Sequence, residues 1–287
     1  MTDVKIGVIG GSGVYQMEGL TDVEEVRVKT PFGDPSDAFV VGTVEGQRVA
    51  FLPRHGKGHR FMPSEVPSRA NIFAFKTLGV ERLISLTAVG SLKQEMAPLD
   101  IVIPDQLFDR TRARPSTFFG HGLVAHISFP DPFCPQLSGV LYDAAKASGA
   151  HVHKGATLVV MEGPAFSTKA ESLFYRQWGA DLIGMTALPE AKLAREAEIC
   201  YGAVAMVTDF DVWHPDHASV TVEMVVSNLL KNAETGQSVV RRAVKALPGE
   251  RTCSCGYALR DAIITNRSAI PEQVKRDLAP LIVKYLR

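Results

Sequence analysis

The sequence predicts a single α/β domain, with a mixed central β-sheet flanked by helices, on three observations. Short runs rich in Val and Ile alternate with amphipathic stretches of helix length along the chain. Small-residue loops carrying Gly, Ser and Thr follow several of those runs, where α/β proteins collect their chemistry. No internal repeat, low-complexity tract or long linker divides the 287 residues.

In chain order, strands are expected at Lys5 to Ile9, Ala38 to Val44, Arg48 to Leu52, Arg82 to Ala88, Asp100 to Pro104, Thr157 to Glu162, Asp181 to Gly184 and Tyr201 to Val207, each a short apolar run. Helices are expected at Ser64 to Leu78 and Thr168 to Trp178, with Ser64 and Ser167 as N-caps. Pro135 to Ser148, Pro189 to Glu198, Val222 to Val244 and Pro271 to Tyr285 complete the helical set. Within it, Ser138 to Gly149 and Gln237 to Leu247 turn their apolar residues to one side at the helix period.

Composition narrows the function classes. Lys+Arg and Asp+Glu balance at 31 each, which leaves no positive field to hold a nucleic acid backbone. No apolar stretch approaches the roughly 20 residues that span a bilayer, and residues 1–9 lack a basic region and a cleavable apolar leader. A cytoplasmic protein with neither nucleic acid nor membrane partner is expected. Cys134, Cys200, Cys253 and Cys255 are too few and scattered for a secreted disulfide framework, and no second Cys or His pair stands at finger-like spacing from Cys253-Ser254-Cys255. The expectation is no metal, with Cys134 and Cys200 buried as small hydrophobes and Cys253 and Cys255 free or redox-active.

Chemistry concentrates at strand ends. Gly10-Gly11-Ser12-Gly13 follows the first strand, where glycines let backbone N–H groups close on an anion and the hydroxyl adds a donor. Its spacing is not that of a dinucleotide fingerprint, and no acidic residue ends a second strand where that fold needs one. Arg54-His55-Gly56 supplies a planar cationic fork suited to phosphate, with His55 as an additional donor. Thr87-Ala88 and Met185-Thr186 add hydroxyls in small-residue turns. Together these loops suggest one convergent anion site. Asp209 and Asp211 close the run Ala203 to Val207, and strand periodicity sends both acids to one side, where each can address an edge of a flat heterocycle. A solvated turn or a helix N-cap is the competing reading of Asp-x-Asp.

In their order, these segments resemble the trimeric branch of the purine nucleoside phosphorylase family. The matching stretches include Ile6-Gly-Val-Ile-Gly-Gly-Ser-Gly13, Thr30-Pro-Phe-Gly-Asp-Pro-Ser-Asp37, Arg54-His-Gly56, Thr87-Ala-Val-Gly-Ser-Leu92, Arg114-Pro115, Glu162-Gly-Pro-Ala-Phe-Ser167, Met185-Thr186, Pro189-Glu190 and Thr208-Asp-Phe-Asp211. The match runs from residue 4 to about Lys245. Residues 248–287 read as a helical extension of the same domain, covering a subunit edge. Ala165 departs from the family's frequent Arg at that position.

The resemblance implies phosphorolysis. Inorganic phosphate, a co-substrate, displaces a purine at the ribosyl anomeric carbon without any metal or organic cofactor. Ser12, Arg54, His55, Thr87, Ala88 and Thr186 would hold phosphate, Met185 would lie against the ribose, and Phe166 and Ser167 would lie near the base. Asp209 would act as the acid at purine N7, its pKa raised by burial near Phe210 and Trp213 and by its neighbour Asp211. Asp211 would accept from a 6-amino group, which favours adenine over a 6-oxopurine. Val222, Val225 and Val226 would wall a 5′-thiomethyl group, so S-methyl-5′-thioadenosine is the expected substrate. His126 would reach a neighbouring subunit's site in a homotrimer. A 6-oxopurine nucleoside or methylthioinosine phosphorylase, a water-using nucleosidase and a non-catalytic nucleotide-binding module are the alternatives.

Overall fold

The computed structural model describes residues 4–11, 13, 18–215 and 222–286, with the side chains at 222 and 224 outside that description. Ser12 therefore lies outside the described residues.

Short apolar segments here form an eleven-stranded mixed sheet in the order β2-β3-β4-β1-β5-β10-β9-β7, with β11 paired to β5 and β6, and β8 to β6. The strands are β1 (Ile6–Gly10), β2 (Thr21–Val26), β3 (Phe39–Val44), β4 (Gln47–Pro53), β5 (Arg82–Ser91), β6 (Ile101–Ile103), β7 (Gln106–Arg110), β8 (Val152–Lys154), β9 (Thr157–Met161), β10 (Leu182–Gly184) and β11 (Cys200–Asp209). The helices are α1 (Ser68–Thr77), α2 (Pro135–Ala147), α3 (Lys169–Gln177), α4 (Ala187–Glu196), α5 (Val222–Ala246), α6 (Glu272–Asp277) and α7 (Ala279–Ile282). Among the described residues no helix is long and apolar enough to cross a membrane.

Strand alternation sorts the core into two layers. On β11, Val204 and Met206 join Leu137 and Leu141 of α2 and Val239, Val240 and Val244 of α5. Ala203, Ala205 and Val207 join Ile72 and Phe75 of α1 and Leu193 and Ala194 of α4. Gly202 is where α2 comes closest, since a Cβ there would stand 2.8 Å from Leu141.

The sheet's most consequential feature is the division of β5. Its first half pairs in parallel with β1, from Ile6↔Arg82 to Ile9↔Ser85. Its end pairs antiparallel with β10, Leu182↔Ser91 and Ile183↔Gly90. Between them, Leu86 to Ala88 of β5 lie at a fork where β1 has ended and β10 arrives from the opposite direction. Such a reversal of strand order is where open α/β sheets offer a crevice.

Several element boundaries differ from the sequence expectation. Strands β2, β7 and β8 carry exposed polar residues or span three positions, so ladder hydrogen bonds define them rather than an apolar run. Ser64 caps no helix, because α1 begins at Ser68 after Pro67. At α3 the cap is Thr168 instead of Ser167, with Thr168 and Glu171 bonded reciprocally in a capping box. Leu188 is extended ahead of Pro189, which interrupts the start of α4. The expected helix Pro271 to Tyr285 divides into α6, α7 and a 3-10 turn, with Pro280 in the first turn of α7. Leu259, Ala262, Ile270, Leu281 and Ile282 of residues 248–287 are buried in the protomer's own core.

Candidate active site

Extending the antiparallel β10 register past Gly184 brings Thr186 opposite Thr87, and the two hydroxyls meet at 2.8 Å. Ala88, half-buried beside them, completes the floor of the fork. Gly10 of β1 accepts from the Arg54 N–H at 2.8 Å, which fixes the start of the β4 loop beside this floor. Ser36 secures the same loop, donating to the Arg54 carbonyl at 2.7 Å while Asn71 holds Ser36 through two further bonds.

Arg54 is buried, and its guanidinium is largely committed within the protein. Nε and Nη2 donate to the Glu190 carboxylate, Nη2 also to Ser85 Oγ, and Nη1 to the Leu86 carbonyl, leaving one of its five N–H groups. Burial opposes its charge, but Glu190 outweighs that and raises the Arg54 pKa above its ordinary value. Tyr201 donates to the same carboxylate at 3.0 Å. The sequence reading took the fork as aimed at phosphate, whereas the structure turns most of it onto Glu190, Ser85 and Leu86.

His55 also departs from its expected role as donor. Its Nδ1 lies 2.8 Å from the Phe61 carbonyl, which can only accept, so Nδ1 carries the proton. Burial first and the Arg54 charge second lower its pKa to about 4. At neutral pH the ring is neutral and Nε2 offers a lone pair, an acceptor for a protonated oxygen.

The acid pair sits where β11 ends. Asp209 lies beside Gly90 of β5, and a Cβ at Gly90 would stand 2.8 Å from Asp209 Oδ1. Asp209 Oδ2 accepts from Thr208 Oγ1 at 2.7 Å, and Oδ1 accepts from the Asp211 N–H at 2.8 Å. Asn228 and Asn232 of α5 donate to the Thr208 and Val207 carbonyls, fastening the strand end. Strand periodicity does not carry the pair, contrary to the sequence argument. The register shifts between Val207 and Asp209, and Asp211 is in a turn at φ 50°, a left-handed conformation uncommon for a non-glycine residue. Both carboxyls are nonetheless 6% exposed. Burial raises the pKa of each: hydrogen bonds from Thr208 and the Asp211 N–H oppose the rise at Asp209, and the Ser172 hydroxyl leads the opposition at Asp211. Asp211 Oδ2 is buried without a hydrogen-bond partner at good geometry. Trp213 closes the turn, its Nε1 donating to the Ser91 carbonyl at 2.7 Å, under the Arg176 guanidinium.

Of the remaining expected residues, Ser167 is buried on the Asp211 side and Phe166 is 42% exposed. Met185 Sδ lies against Gly163, where a Cβ would approach to 2.5 Å. Val225 is half-buried and Val226 exposed on the first turns of α5, with the Val222 side chain outside the description. The His126 backbone N–H donates to the Ala262 carbonyl, and the residue is exposed.

Two residues present in the sequence motifs received no role from sequence reasoning. Glu190 is the counter-ion of Arg54. Arg114 donates to the carbonyls of Met161, Glu162, Met185 and Leu188, so one guanidinium ties the ends of β9 and β10 together. A cleft of about 220 Å³, lined by Phe32, Pro67, Arg69, Arg114 and Pro189, opens beside this tie rather than over the acids. The available signal was a charged residue beside a proline, Arg114 before Pro115 and Glu190 after Pro189.

Among the described residues, two groups of side chains lie close enough to hold a metal ion, and neither includes a residue of this site: Asp100 with His151 and His153, and Cys134 with Cys200, Cys253 and Cys255. The cysteines, scattered in sequence, converge in space.

A model of the phosphorylase superfamily matches residues 5–245. An S-methyl-5′-thioadenosine phosphorylase of Koribacter versatilis is 60% identical over 281 residues, covering 98% of this chain and 96% of the relative. Another from Chloroflexus aurantiacus is 60% identical over 286 residues, covering 99% of each. Among solved structures, a methylthioadenosine phosphorylase from an Antarctic soil metagenomic library superposes with a TM-score of 0.94 at 49% identity, covering 98% of this chain and 99% of that one. The Schistosoma mansoni methylthioadenosine phosphorylase in complex with adenine gives 0.83 at 32% identity over 98% of each chain.

Proposed function

Because this chain belongs to the phosphorylase superfamily, we propose that it cleaves S-methyl-5′-thioadenosine by phosphorolysis, giving adenine and 5-methylthioribose 1-phosphate. The observation that carries the reading is the buried acid pair at the end of β11, set across Gly90 from the hydroxyl-lined fork. The chain is a pentosyltransferase with the fold of its relatives.

Each residue's part follows from its surroundings. Phosphate is held at the fork by Thr87, Ala88 and Thr186, with the one Arg54 N–H not committed to Glu190, Ser85 or Leu86 as a further donor. His55 accepts from a protonated oxygen of the phosphate, which leaves an unprotonated oxygen to attack the anomeric carbon. The negative nucleophile stabilises the developing oxocarbenium ion as the bond to the base lengthens. Asp209, held by Thr208 and the Asp211 N–H, delivers a proton or strong hydrogen bond to purine N7. Asp211 Oδ2, buried without a partner at hydrogen-bonding geometry among the described residues, takes the 6-amino group. A 6-carbonyl would set acceptor against acceptor, which disfavours hypoxanthine and guanine nucleosides. Met185, Phe166 and Ser167 border the ribose and base, while Val222, Val225 and Val226 receive the thiomethyl group. Inorganic phosphate is the co-substrate, and these steps use no organic cofactor or metal.

His126 is exposed, which suits completion of a neighbouring subunit's site in a homotrimer. Four free thiols fit a cytoplasmic location.

The purified protein incubated with methylthioadenosine, adenosine, inosine and methylthioinosine, each with and without phosphate, tests the reading through released base. Phosphate-dependent adenine release, fastest from methylthioadenosine, is expected. Release without phosphate overturns phosphorolysis, and hypoxanthine alone overturns the role of Asp211.

A further inference from the structure

We propose that Cys134, Cys200, Cys253 and Cys255 form a structural tetrathiolate site for a zinc ion, clamping the C-terminal segment to the edge of the central sheet.

All four sulfurs lie within 4.8 Å of one another, and Cys134, Cys200 and Cys255 are buried. Zinc–sulfur bonds of about 2.3 Å place tetrahedral sulfurs about 3.8 Å apart, so small shifts meet the ion, the Cys200–Cys253 contact of 3.3 Å opening and the wider ones closing. A pair of disulfides would instead divide four sulfurs into two close twos. Here each sulfur has the other three within reach.

The start of α2 offers one of the four sulfurs a setting suited to negative charge. Cys134 is the N-cap of α2, where the helix's unpaired N–H groups and dipole support negative charge. Its sulfur lies within 4.8 Å of those of Cys200, Cys253 and Cys255. Arg251 lies against Gly256 and interacts with Cys200, while its Nη1 donates to the Glu198 carbonyl at 2.8 Å. Four thiols that bind one zinc ion release their protons and form a doubly negative centre, and this guanidinium is placed to balance it.

The clamp joins three segments: the start of α2, the first residue of β11, and the 3-10 turn Ser254–Tyr257 that Cys253 precedes. Glu198 reinforces it by accepting from the Leu259 N–H and from Tyr285, and by pairing with Lys284. Cys200 and Asp209 are at opposite ends of β11, about 30 Å apart at strand rise. The site therefore acts on stability and is independent of the reaction proposed above.

The test uses the full chain, purified without metal-affinity resin and dialysed against a chelator, with metal measured by inductively coupled plasma mass spectrometry. About one zinc per protomer is expected. Protein grown in cobalt-supplemented medium should show thiolate-to-cobalt charge-transfer and intense tetrahedral d–d bands. Cys253→Ser and Cys255→Ser should lose both the metal and the bands and lower the Tm, with kcat/KM for base release unchanged. Wild-type protein without metal or cobalt bands overturns the proposal, whether its thiols react freely or mass spectrometry finds them as disulfides.

Discussion

The backbone N–H of Asp211 donates to Asp209 Oδ1 at 2.8 Å, so the second acid of the pair positions the first. The left-handed turn that makes this bond possible also leaves Asp211 Oδ2 buried and, among the described residues, without a partner at hydrogen-bonding geometry. One turn thus prepares a held acid and an open acceptor.

Asp209→Asn should lower kcat by at least about 10²-fold, the scale of general acid catalysis, with KM changed only a few-fold. Burial raises the Asp209 pKa, so the acid form is lost as pH rises through that value, and the wild-type rate should fall on the alkaline side. The variant should lack that limb once the titration of phosphate is subtracted. A full wild-type profile in Asp209→Asn would remove the residue from this role.

Asp211→Asn replaces one acceptor oxygen with a donor. Mispairing a buried polar group costs about 1–3 kcal/mol, so the ratio of kcat/KM for methylthioadenosine over methylthioinosine should fall about tenfold or more. An unchanged ratio would show that Asp211 does not read the base.

Much of this site was legible in the sequence, and the limits have physical causes. Asp209 was visible because an apolar strand leads directly into it. The mutual arrangement of the acids was not, because a register shift and a positive φ break strand periodicity between them. Thr87 and Thr186 were visible as strand-end hydroxyls, yet their meeting depends on β10 running antiparallel to β5. The Arg54–Glu190 pair joins residues 136 positions apart, and the convergence of the cysteines depends on α2, β11 and the C-terminal segment sharing an edge. Local pattern holds no information about such contacts.

Glu190→Gln leaves the buried Arg54 charge without its counter-ion. Breaking a buried pair from one side costs about 3–5 kcal/mol, so thermal unfolding should shift clearly downward. With the guanidinium no longer anchored beneath the fork, KM for phosphate should rise more than KM for the nucleoside. Equal effects on both would dissociate Arg54 from the phosphate side.

Glu196 makes stability pH-dependent. Its carboxylate accepts from Thr117 Oγ1 and the Phe118 N–H at 2.7 Å each, but burial dominates and raises its pKa to about 7. A raised acid contributes stability that is fully present below about 4.5 and lost as pH rises through about 7. That shift corresponds to about 3 kcal/mol. Glu196→Gln should therefore flatten the fall in Tm between pH 5 and 8, as roughly set by those values. Parallel Tm curves for wild type and variant would contradict the assignment.

The central claim is that phosphate, rather than water, receives the sugar. Phosphorus NMR of the protein with methylthioadenosine and inorganic phosphate measures this directly, alongside adenine in the same tube. A sugar 1-phosphate resonance that grows in step with adenine as inorganic phosphate declines is the predicted result. Adenine accumulating while inorganic phosphate stays constant would contradict it.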